Sequence, residues 1–210
     1  MCFFWGEGTF KMWFLNKKRL KEKRLSQIRL QLLEELQRDE TVFLSVPKEE
    51  QFYEFALTAV KINGFYFQGL REDLKTDEVI KAAIRQNGNI IQVIENQKEE
   101  YCRLAIEQSP HSFTHVRLKT KELCLFAVQK DGRLLNYVPE QTKEICEVAI
   151  RNTPIAVRFI RRPYWDKSLF YLAASLDWRM LKHIPDSMQD LELNMKIYEQ
   201  HPEAIDLMSC

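Results

Sequence analysis

The sequence contains few of the residues that break regular structure, with six glycines and seven prolines among 210 residues. So few turn-forming residues argue against a chain rich in β-hairpins or in flexible linkers. No stretch approaches the roughly 18 uninterrupted apolar residues that a transmembrane helix requires. The apolar start from Met1 to Trp5 is interrupted by Gly6 and Glu7, and no cationic region precedes it, so it makes a poor signal peptide.

The sequence also lacks an excess of charge of one sign, since 31 Lys and Arg residues stand against 30 Asp and Glu residues. An anionic partner must therefore bind a local patch rather than the surface as a whole. The five cysteines are an odd number in a chain that is too long to need disulfides for its stability. We therefore expect a reducing, cytoplasmic location, and secretion into a host cytosol stays open.

What the sequence does contain is a repeat. A small residue, followed by an aliphatic one, recurs at steps of 22 or 24 residues, and positions in each copy are numbered from this anchor. The anchors are Ala59, Ala83, Ala105, Ala127, Ala149 and Ala173, with Ile197 in a degenerate seventh copy. Residues at positions −4, +8 and +11 are apolar in every copy. At +5, six of the seven copies have Gly or Pro, which end helices.

Each copy therefore predicts one helix, a turn and a second short helix. Apolar residues at −4, −3, the anchor and +1 form a single helical stripe, and Thr or Asp at −7 suits the N-cap. Apolar residues at +7, +8 and +11 have α-helical spacing as well. A unit this small must stack on its neighbours to bury its apolar face. The repeats predict an all-α fold, an α-solenoid of about seven helix-turn-helix repeats over residues 50–210, with a globular helical bundle as the alternative.

Residues 1–49 precede the repeats and are predicted to form a separate region. Aromatic residues from Phe3 to Phe14 flank Gly6 and Gly8, which predicts a small hairpin or an extended apolar arm. An amphipathic helix should follow, with an apolar face of Leu25, Ile28, Leu32, Leu33 and Leu36 and a basic start of Lys17, Lys18, Arg19, Lys21, Lys23 and Arg24. Three roles stay open for it: a cap on the repeats, peripheral contact with a membrane, or contact with nucleic-acid phosphates.

The first two copies carry a recognisable motif, Ala59-Val60-Lys61-Ile62-Asn63-Gly64 and its echo Ala83-Ile84-Arg85-Gln86-Asn87-Gly88. This motif resembles a helical-repeat family with an Ala-Val-Lys-x-Asn-Gly core, which occurs in tandem arrays, often in intracellular bacteria and large viruses, and whose function is uncharacterised. The resemblance extends over roughly residues 50–208, although later copies replace Asn-Gly by other pairs. It implies a helical-repeat fold and an effector-like binding role.

Signals for catalysis are missing, because the sequence has no glycine-rich phosphate loop, nucleophile elbow or Cys-x-x-Cys pair. We expect no enzyme activity, cofactor or metal. Cys102, Cys124 and Cys146 share one column, and equivalent residues of stacked helices lie about 10 Å apart, so we interpret them as core residues. His111 and His115 are four residues apart in a predicted helix, a spacing that can hold a metal, but no third ligand is evident.

The most informative positions are +9 and +10 on the second helices, which carry polar and aromatic residues. In the later copies several arginines lie among these residues in the sequence. Arginine beside aromatic residues suits an acidic protein surface, phosphate or nucleobases, although ordinary surface charge is the alternative. The predicted partner-binding residues are Asn136, Tyr137, Arg158, Phe159, Arg161, Arg162, Arg179, Lys182 and His183. We predict a non-catalytic binding protein, an effector or inhibitor of a protein partner, with nucleic-acid binding as the alternative.

Overall fold

The computed structural model describes the backbone of residues 7–207 and the side chains of residues 17–192 and 194–204. Within residues 7–207 the regular structure is entirely helical, with no strand, which confirms the predicted all-α fold for this part of the chain. The chain divides into two compact units, Met1–Gln86 and Asn87–Cys210. The predicted boundary between residues 49 and 50 lies within the first of them.

The first unit contains four α-helices: α1 (Glu7–Arg38), α2 (Val42–Ser45), α3 (Tyr53–Ile62) and α4 (Asp77–Gln86). It also contains three 3₁₀ helices: Lys48–Glu50, Gly64–Gly69 and Glu72–Leu74. Helix α3 packs between α1 and α4 along the chain order, since it contacts both of them.

Helix α1 corrects the prediction for the N-terminal region. The backbone is helical from Glu7 onward, so no hairpin or extended arm forms between residues 7 and 14, and residues 3–6 lie outside the described part. The physical reason is that no Gly or Pro follows Gly8 until Pro47, while Leu, Lys, Arg, Glu and Gln fill the segment. These residues are among the strongest helix formers.

The predicted apolar face of α1 is buried only at its C-terminal end. Leu36 is fully buried, and Leu32 and Leu33 are half-buried where the helix packs on the rest of the unit. By contrast, Leu25 and Ile28 remain 49% and 55% exposed. The burial of α1 is therefore concentrated in about the last two turns of the helix.

The second unit contains α5 (Glu99–Gln108), α6 (Lys121–Lys130), α7 (Lys143–Asn152), α8 (Lys167–Leu176) and α9 (Leu191–Gln200). Six longer 3₁₀ helices accompany them: Gly88–Val93, Pro110–His115, Gly132–Tyr137, Pro154–Phe159, Trp178–His183 and Pro202–Leu207. Two short ones are Arg162–Tyr164 and Asp186–Met188. Within this unit each α-helix contacts the next α-helix, and each longer 3₁₀ helix contacts the next longer one.

The repeat read from the sequence has a regular structural counterpart. Each of the seven copies pairs a ten-residue α-helix with a six-residue 3₁₀ helix that begins at position +5. The six anchor alanines are fully buried, and every described residue at −4, +8 and +11 is at most 6% exposed. The columns of the repeat therefore form the apolar core, as predicted.

The second helix of each copy differs from the prediction, because it is a 3₁₀ helix and not an α-helix. In the 3₁₀ helix that starts at Gly132, the amide of Leu134 donates to the carbonyl of Asp131 (3.0 Å). The Asp131 carboxylate accepts a second hydrogen bond from the amide of Arg133. Asn63, Asn87 and Asp177 cap their 3₁₀ helices in the same way. This local hydrogen bonding starts the tighter helix at its first residue.

A three-residue turn gives the 3₁₀ helix three distinct faces. Positions +5, +8 and +11 share one spacing of three and carry the core residues, while +7 and +10 form a flank that is buried or half-buried in most copies. Positions +6 and +9 face outward in most copies, although Asn89 and Ile155 at +6 are half-buried. The +9 residues are exposed in every copy from Gln68 to Lys182 except at the half-buried Thr114.

The two step lengths of the repeat also have a structural cause. The 24-residue steps from Ala59, Ala149 and Ala173 each contain an additional short 3₁₀ helix, namely Glu72–Leu74, Arg162–Tyr164 and Asp186–Met188. The described 22-residue steps contain no such turn. Two extra residues are thus accommodated in the connection without disturbing the core positions.

A second, longer period appears at position −8, where glutamine alternates with other residues. The glutamines are Gln51, Gln97, Gln141 and Gln189, and Lys75, Lys119 and Trp165 occupy the copies between them. Fully buried Gln141 donates to the carbonyls of Leu135 and Phe159, both at 2.9 Å, and accepts from the amide of Arg161 at 2.7 Å. It therefore joins the ends of two successive 3₁₀ helices, and Gln97 makes the equivalent set of bonds.

Glycine at +5 is required by the close approach of the following α-helix. A Cβ atom on Gly132 would lie 2.2 Å from the carbonyl oxygen of Ala149, and one on Gly88 would lie 2.6 Å from that of Ala105. The backbone of these glycines is not in the left-handed region, so space and not conformation selects the residue. The Gly132 amide also donates to the side chain of Asn152 at 2.8 Å.

We predict that Gly132→Ala lowers the free energy of unfolding by about 1–3 kcal/mol, because the added methyl must push the Ala149 carbonyl away. Urea unfolding followed by circular dichroism measures the effect. Asn136→Ala, on the exposed side of the same 3₁₀ helix, is the control and should change the value by no more than about 0.5 kcal/mol. Equal stabilities of the two variants would contradict the close approach.

Lys119 occupies one of the −8 positions between glutamines, and its ammonium group is drawn into the core. Its Nζ donates to the carbonyl of Phe113 at 2.5 Å and lies 3.5 Å from the centroid of the Phe113 ring. Burial lowers the pKa of Lys119 to about 8, and the nearby thiols of Cys124 and Cys102 oppose that shift. The folded state therefore releases a proton that the unfolded chain still holds between pH 8 and the ordinary lysine pKa of 10.5.

The consequence is that burying the charged amine costs stability below pH 8, and this cost disappears as the pH rises towards 10.5. We predict that Lys119→Met gains stability relative to the natural chain at pH 7, by up to about 2 kcal/mol after solvent screening. The gain should shrink at pH 10. Urea unfolding of both proteins at the two pH values measures it, and a difference independent of pH would contradict the buried charge.

Candidate binding surface

Six of the nine predicted partner-binding residues lie at equivalent places in three successive 3₁₀ helices. They are the last two residues of each helix: Asn136 and Tyr137, Arg158 and Phe159, and Lys182 and His183. Because these helices contact one another in order, the three pairs form consecutive rungs within the second unit. The first member of each pair is exposed, while the second ranges from half-buried to 44% exposed at Tyr137.

The last two rungs bring cations together. His183 has a pKa below its ordinary value, first because of burial and then because of the positive charges of Arg158 and Lys182. Arg158 comes from one repeat, and Lys182 and His183 come from the next. The imidazole of His183 therefore lies near the charges of both Arg158 and Lys182, on a surface that can accept an anion.

The remaining three predicted residues have different surroundings. The guanidinium of Arg161 donates to the backbone carbonyls of Val138 and Pro139, so its side chain joins two repeats. Arg71 and Arg117 occupy the same place in earlier copies, and their guanidinium groups also bond to backbone carbonyls. Arg161 thus has a structural use that sequence reasoning did not identify.

Arg162 and Arg179 lie close to neighbours in their own repeats. The guanidinium of Arg162 lies 5.6 Å from the centroid of the Trp165 ring, and the residue is exposed. Arg179 forms an ion pair with Asp177, with 2.9 Å between Nε and Oδ1. Its charge is therefore partly offset at the surface.

The three-residue turn adds positions that the α-helical interpretation missed. In a 3₁₀ helix, residues at +6 and +9 share the outward face, so Arg133 lies beside Asn136 and Arg179 beside Lys182. We call these outward positions of the five copies anchored from Ala83 to Ala173 the outward stripe: Asn89, Gln92, His111, Thr114, Arg133, Asn136, Ile155, Arg158, Arg179 and Lys182. Its four cations are Arg133, Arg158, Arg179 and Lys182, of which Arg133 and Arg179 form ion pairs with Asp131 and Asp177. The copy that follows has the carboxylate of Glu203 at +6. In the sequence, the spacing of three between the core positions +5, +8 and +11 is the pattern that indicates a three-residue turn, and hence this stripe.

The three cysteines that share one column of the repeat are also candidates for chemistry. Cys102, Cys124 and Cys146 are free and buried, and burial raises the pKa of Cys102 and Cys146 to about 11 and that of Cys124 in the same direction. They are core residues, as predicted, and Cys2 and Cys210 lie outside the described residues.

The prediction that His111 and His115 share one face of an α-helix is wrong. Both lie in the 3₁₀ helix Pro110–His115, where residues four apart point in different directions. Among the side chains that the structure describes, no group of three or more His, Cys, Asp and Glu residues is placed to hold a metal ion.

A cleft of about 600 Å³ opens on the α-helical side of the last three repeats. Its walls come from α7, α8 and α9 and carry charges of both signs, including Glu147, Arg151, Lys196 and Glu199. Mixed charge at an open surface gives the cleft no preference for a ligand of one sign. The outward stripe is the better candidate because all of its own charged side chains, Arg133, Arg158, Arg179 and Lys182, are cations.

Comparison with known proteins gives one finding that concerns the repeat. Residues 53–97 match a domain of unknown function, DUF4116. The matched segment runs from the start of α3 to Gln97 and so has about the length of one interval between the −8 glutamines Gln51 and Gln97. No curated protein matches the chain, and no solved structure matches it. None of the described helices is long and apolar enough to cross a membrane.

We predict that Arg161→Ala lowers the free energy of unfolding by about 1–3 kcal/mol, because it leaves the carbonyls of Val138 and Pro139 without their charged donor. Arg158→Ala and Lys182→Ala, whose side chains point into solvent, should each stay within about 0.5 kcal/mol of the natural chain. Thermal and urea unfolding compare the three variants. A stability of Arg161→Ala equal to that of the two controls would show that its side chain is not structural.

Proposed function

We propose that the second unit is a short α-solenoid that binds an acidic segment of a protein partner through the outward stripe. The arrangement is supported by the order of contacts, in which α-helix follows α-helix and 3₁₀ helix follows 3₁₀ helix. Stacked repeats of this kind expose an extended surface with one rung per repeat. The role is binding and not catalysis. The effector or inhibitor activity expected from the sequence stays a prediction.

The observation that carries the proposal is the grouping of exposed cations with partly exposed aromatic rings. Arg158 and Lys182 are exposed on adjacent rungs, and the rings of Tyr137 and Phe159 lie on the flank next to them. Arg and Tyr are enriched at protein interfaces, where a ring supplies contact area and a cation selects carboxylates. An extended acidic segment can contact several rungs in succession.

A nucleic-acid partner is the second candidate, and the same cations favour it. Single-stranded nucleic acid would require bases to stack on exposed aromatic faces. Tyr137 is 44% exposed, but Phe159 and His183 on the next two rungs are half-buried, which does not favour stacking of one base on every rung. This difference makes the protein partner the better supported of the two.

We predict that Arg158→Glu/Lys182→Glu weakens partner binding at least tenfold, because two attractive charge contacts become repulsive. The natural chain is used to isolate its partners from a native lysate, and one purified partner is then titrated with each variant. The control Lys61→Glu/Arg85→Glu reverses two exposed cations on α3 and α4 of the first unit and should bind as the natural chain does. Equal binding by the stripe variant would refute the surface.

Salt dependence and nuclease treatment decide between the two partner classes. A protein partner should remain bound after nuclease digestion and lose little affinity between 50 and 200 mM salt beyond the contribution of about two ion pairs. A complex that dissociates on nuclease digestion, or a steep fall in affinity that matches many neutralised phosphates, would replace the protein partner by nucleic acid.

A further inference from the structure

The exposed part of α1 is the largest feature of the molecule that the repeat does not use. Helix α1 has 32 residues, and every residue from Lys17 to Gln31 is exposed. Four large apolar side chains lie in this stretch and are between 49% and 66% exposed: Leu20, Leu25, Ile28 and Leu30. Arg29 contacts the first unit, with its guanidinium 4.9 Å from the centroid of the Phe52 ring, but the four apolar side chains remain about half exposed or more.

The charge of this segment is strongly one-sided, although that of the whole chain is balanced. Residues 17–24 contain the six cations Lys17, Lys18, Arg19, Lys21, Lys23 and Arg24 and the single acid Glu22. We call these six residues the cationic collar. At 100° per residue they are spread around the whole circumference of the helix, and not along one side. Cations near a helix N-terminus oppose the macrodipole, so helix stability does not explain their placement.

A ring of cations suits a partner whose negative charges surround the helix. Lipid headgroups do this when the end of a helix enters the membrane interface, because they then contact the helix on all sides. A helix lying flat on the surface would instead need its cations on one face and its apolar residues on the other. The exposed leucines and Ile28 point in several directions, which does not give such a flat apolar face.

The residues before the collar favour lipid over nucleic acid. The sequence from Phe10 to Leu15 is Phe-Lys-Met-Trp-Phe-Leu, and the backbone there continues α1 without a break. Trp and Phe partition into the membrane interface, whereas contact with a duplex requires polar groups directed at phosphates. An apolar segment and a polybasic segment together supply the two signals that stable peripheral attachment needs.

We propose that α1 attaches the protein to the surface of an anionic phospholipid membrane, with the cationic collar at the headgroups and the apolar residues before it in the interface. The attachment is peripheral. It involves the first unit, whereas the outward stripe belongs to the second, so the two proposals stand or fall separately. Each collar cation near an anionic surface is worth about a fivefold change in the partition constant.

The test is co-sedimentation of the full chain with vesicles of phosphatidylcholine alone and of phosphatidylcholine with 30% phosphatidylserine. The protein should sediment with the anionic vesicles and remain in solution with the neutral ones. Lys21→Gln/Arg24→Gln should weaken binding about 25-fold. The matched control Lys48→Gln/Lys61→Gln removes two exposed cations elsewhere in the first unit and should leave binding unchanged.

A second variant separates lipid from nucleic acid. Trp13→Ser/Phe14→Ser should reduce vesicle binding and leave any affinity for a DNA or RNA duplex unaltered, since it keeps all six collar cations. Circular dichroism checks that each variant retains its helix content. Equal sedimentation with neutral and anionic vesicles, or natural binding by Lys21→Gln/Arg24→Gln, overturns the proposal. Binding to a duplex without binding to anionic vesicles overturns it in favour of nucleic acid.

Discussion

The close approach of the 3₁₀ helices at Gly88 and Gly132 to the α-helices that follow them is the contact that sets the packing of those repeats. Where Gly88 and Gly132 start their 3₁₀ helices, the backbone carbonyls of Ala105 and Ala149 occupy the space that a side chain would need. The anchor alanine keeps the α-helix thin at the same place. Interiors packed to this density tolerate neither an added methyl nor a lost one without a cost.

Polar side chains then fix the distance between neighbouring repeats. Gln141 bonds the ends of two 3₁₀ helices, and Arg161 satisfies two carbonyls of the preceding repeat. These groups recur in every second copy, so the polar contacts group the repeats in pairs. The buried amides and carbonyls that the turns leave unpaired thereby obtain partners, which a helical-repeat core requires.

Much of this could be predicted from the sequence, and the reasons are local. The buried columns and the ten-residue α-helices follow from apolar spacing, and Thr120 and Thr142 form the N-cap hydrogen bonds expected of them. The 3₁₀ helices were harder to distinguish from α-helices, since the apolar residues at +7, +8 and +11 fit an α-helix as well as a 3₁₀ helix. The decisive signal was the spacing of three from the Gly or Pro at +5, together with Asn or Asp at +4.

The candidate surface was predictable in part for the same reason. Its +9 and +10 residues are predicted by any helical interpretation of the sequence. Arg133, at +6, is predicted to share the outward side only when each turn of the helix contains three residues. The sequence could not show that Arg161 has a different role from the other predicted partner-binding arginines. An arginine that bonds to backbone carbonyls is the same residue type as one that contacts a partner. The aromatic arm failed as a prediction because Gly6 and Gly8 suggested a turn, while the residues after them strongly favour helix.

The most direct test is the solvent accessibility of single cysteines introduced at consecutive positions from Arg133 to Tyr137, in a chain with Cys2 and Cys210 replaced by serine. The native core thiols react slowly because they are buried. Fast maleimide labelling is expected at positions 133 and 136, protection at 134 and 135, and an intermediate rate at 137. Protection at position 133 or 136, or fast labelling at 135, would contradict the three-residue turn and with it the outward stripe.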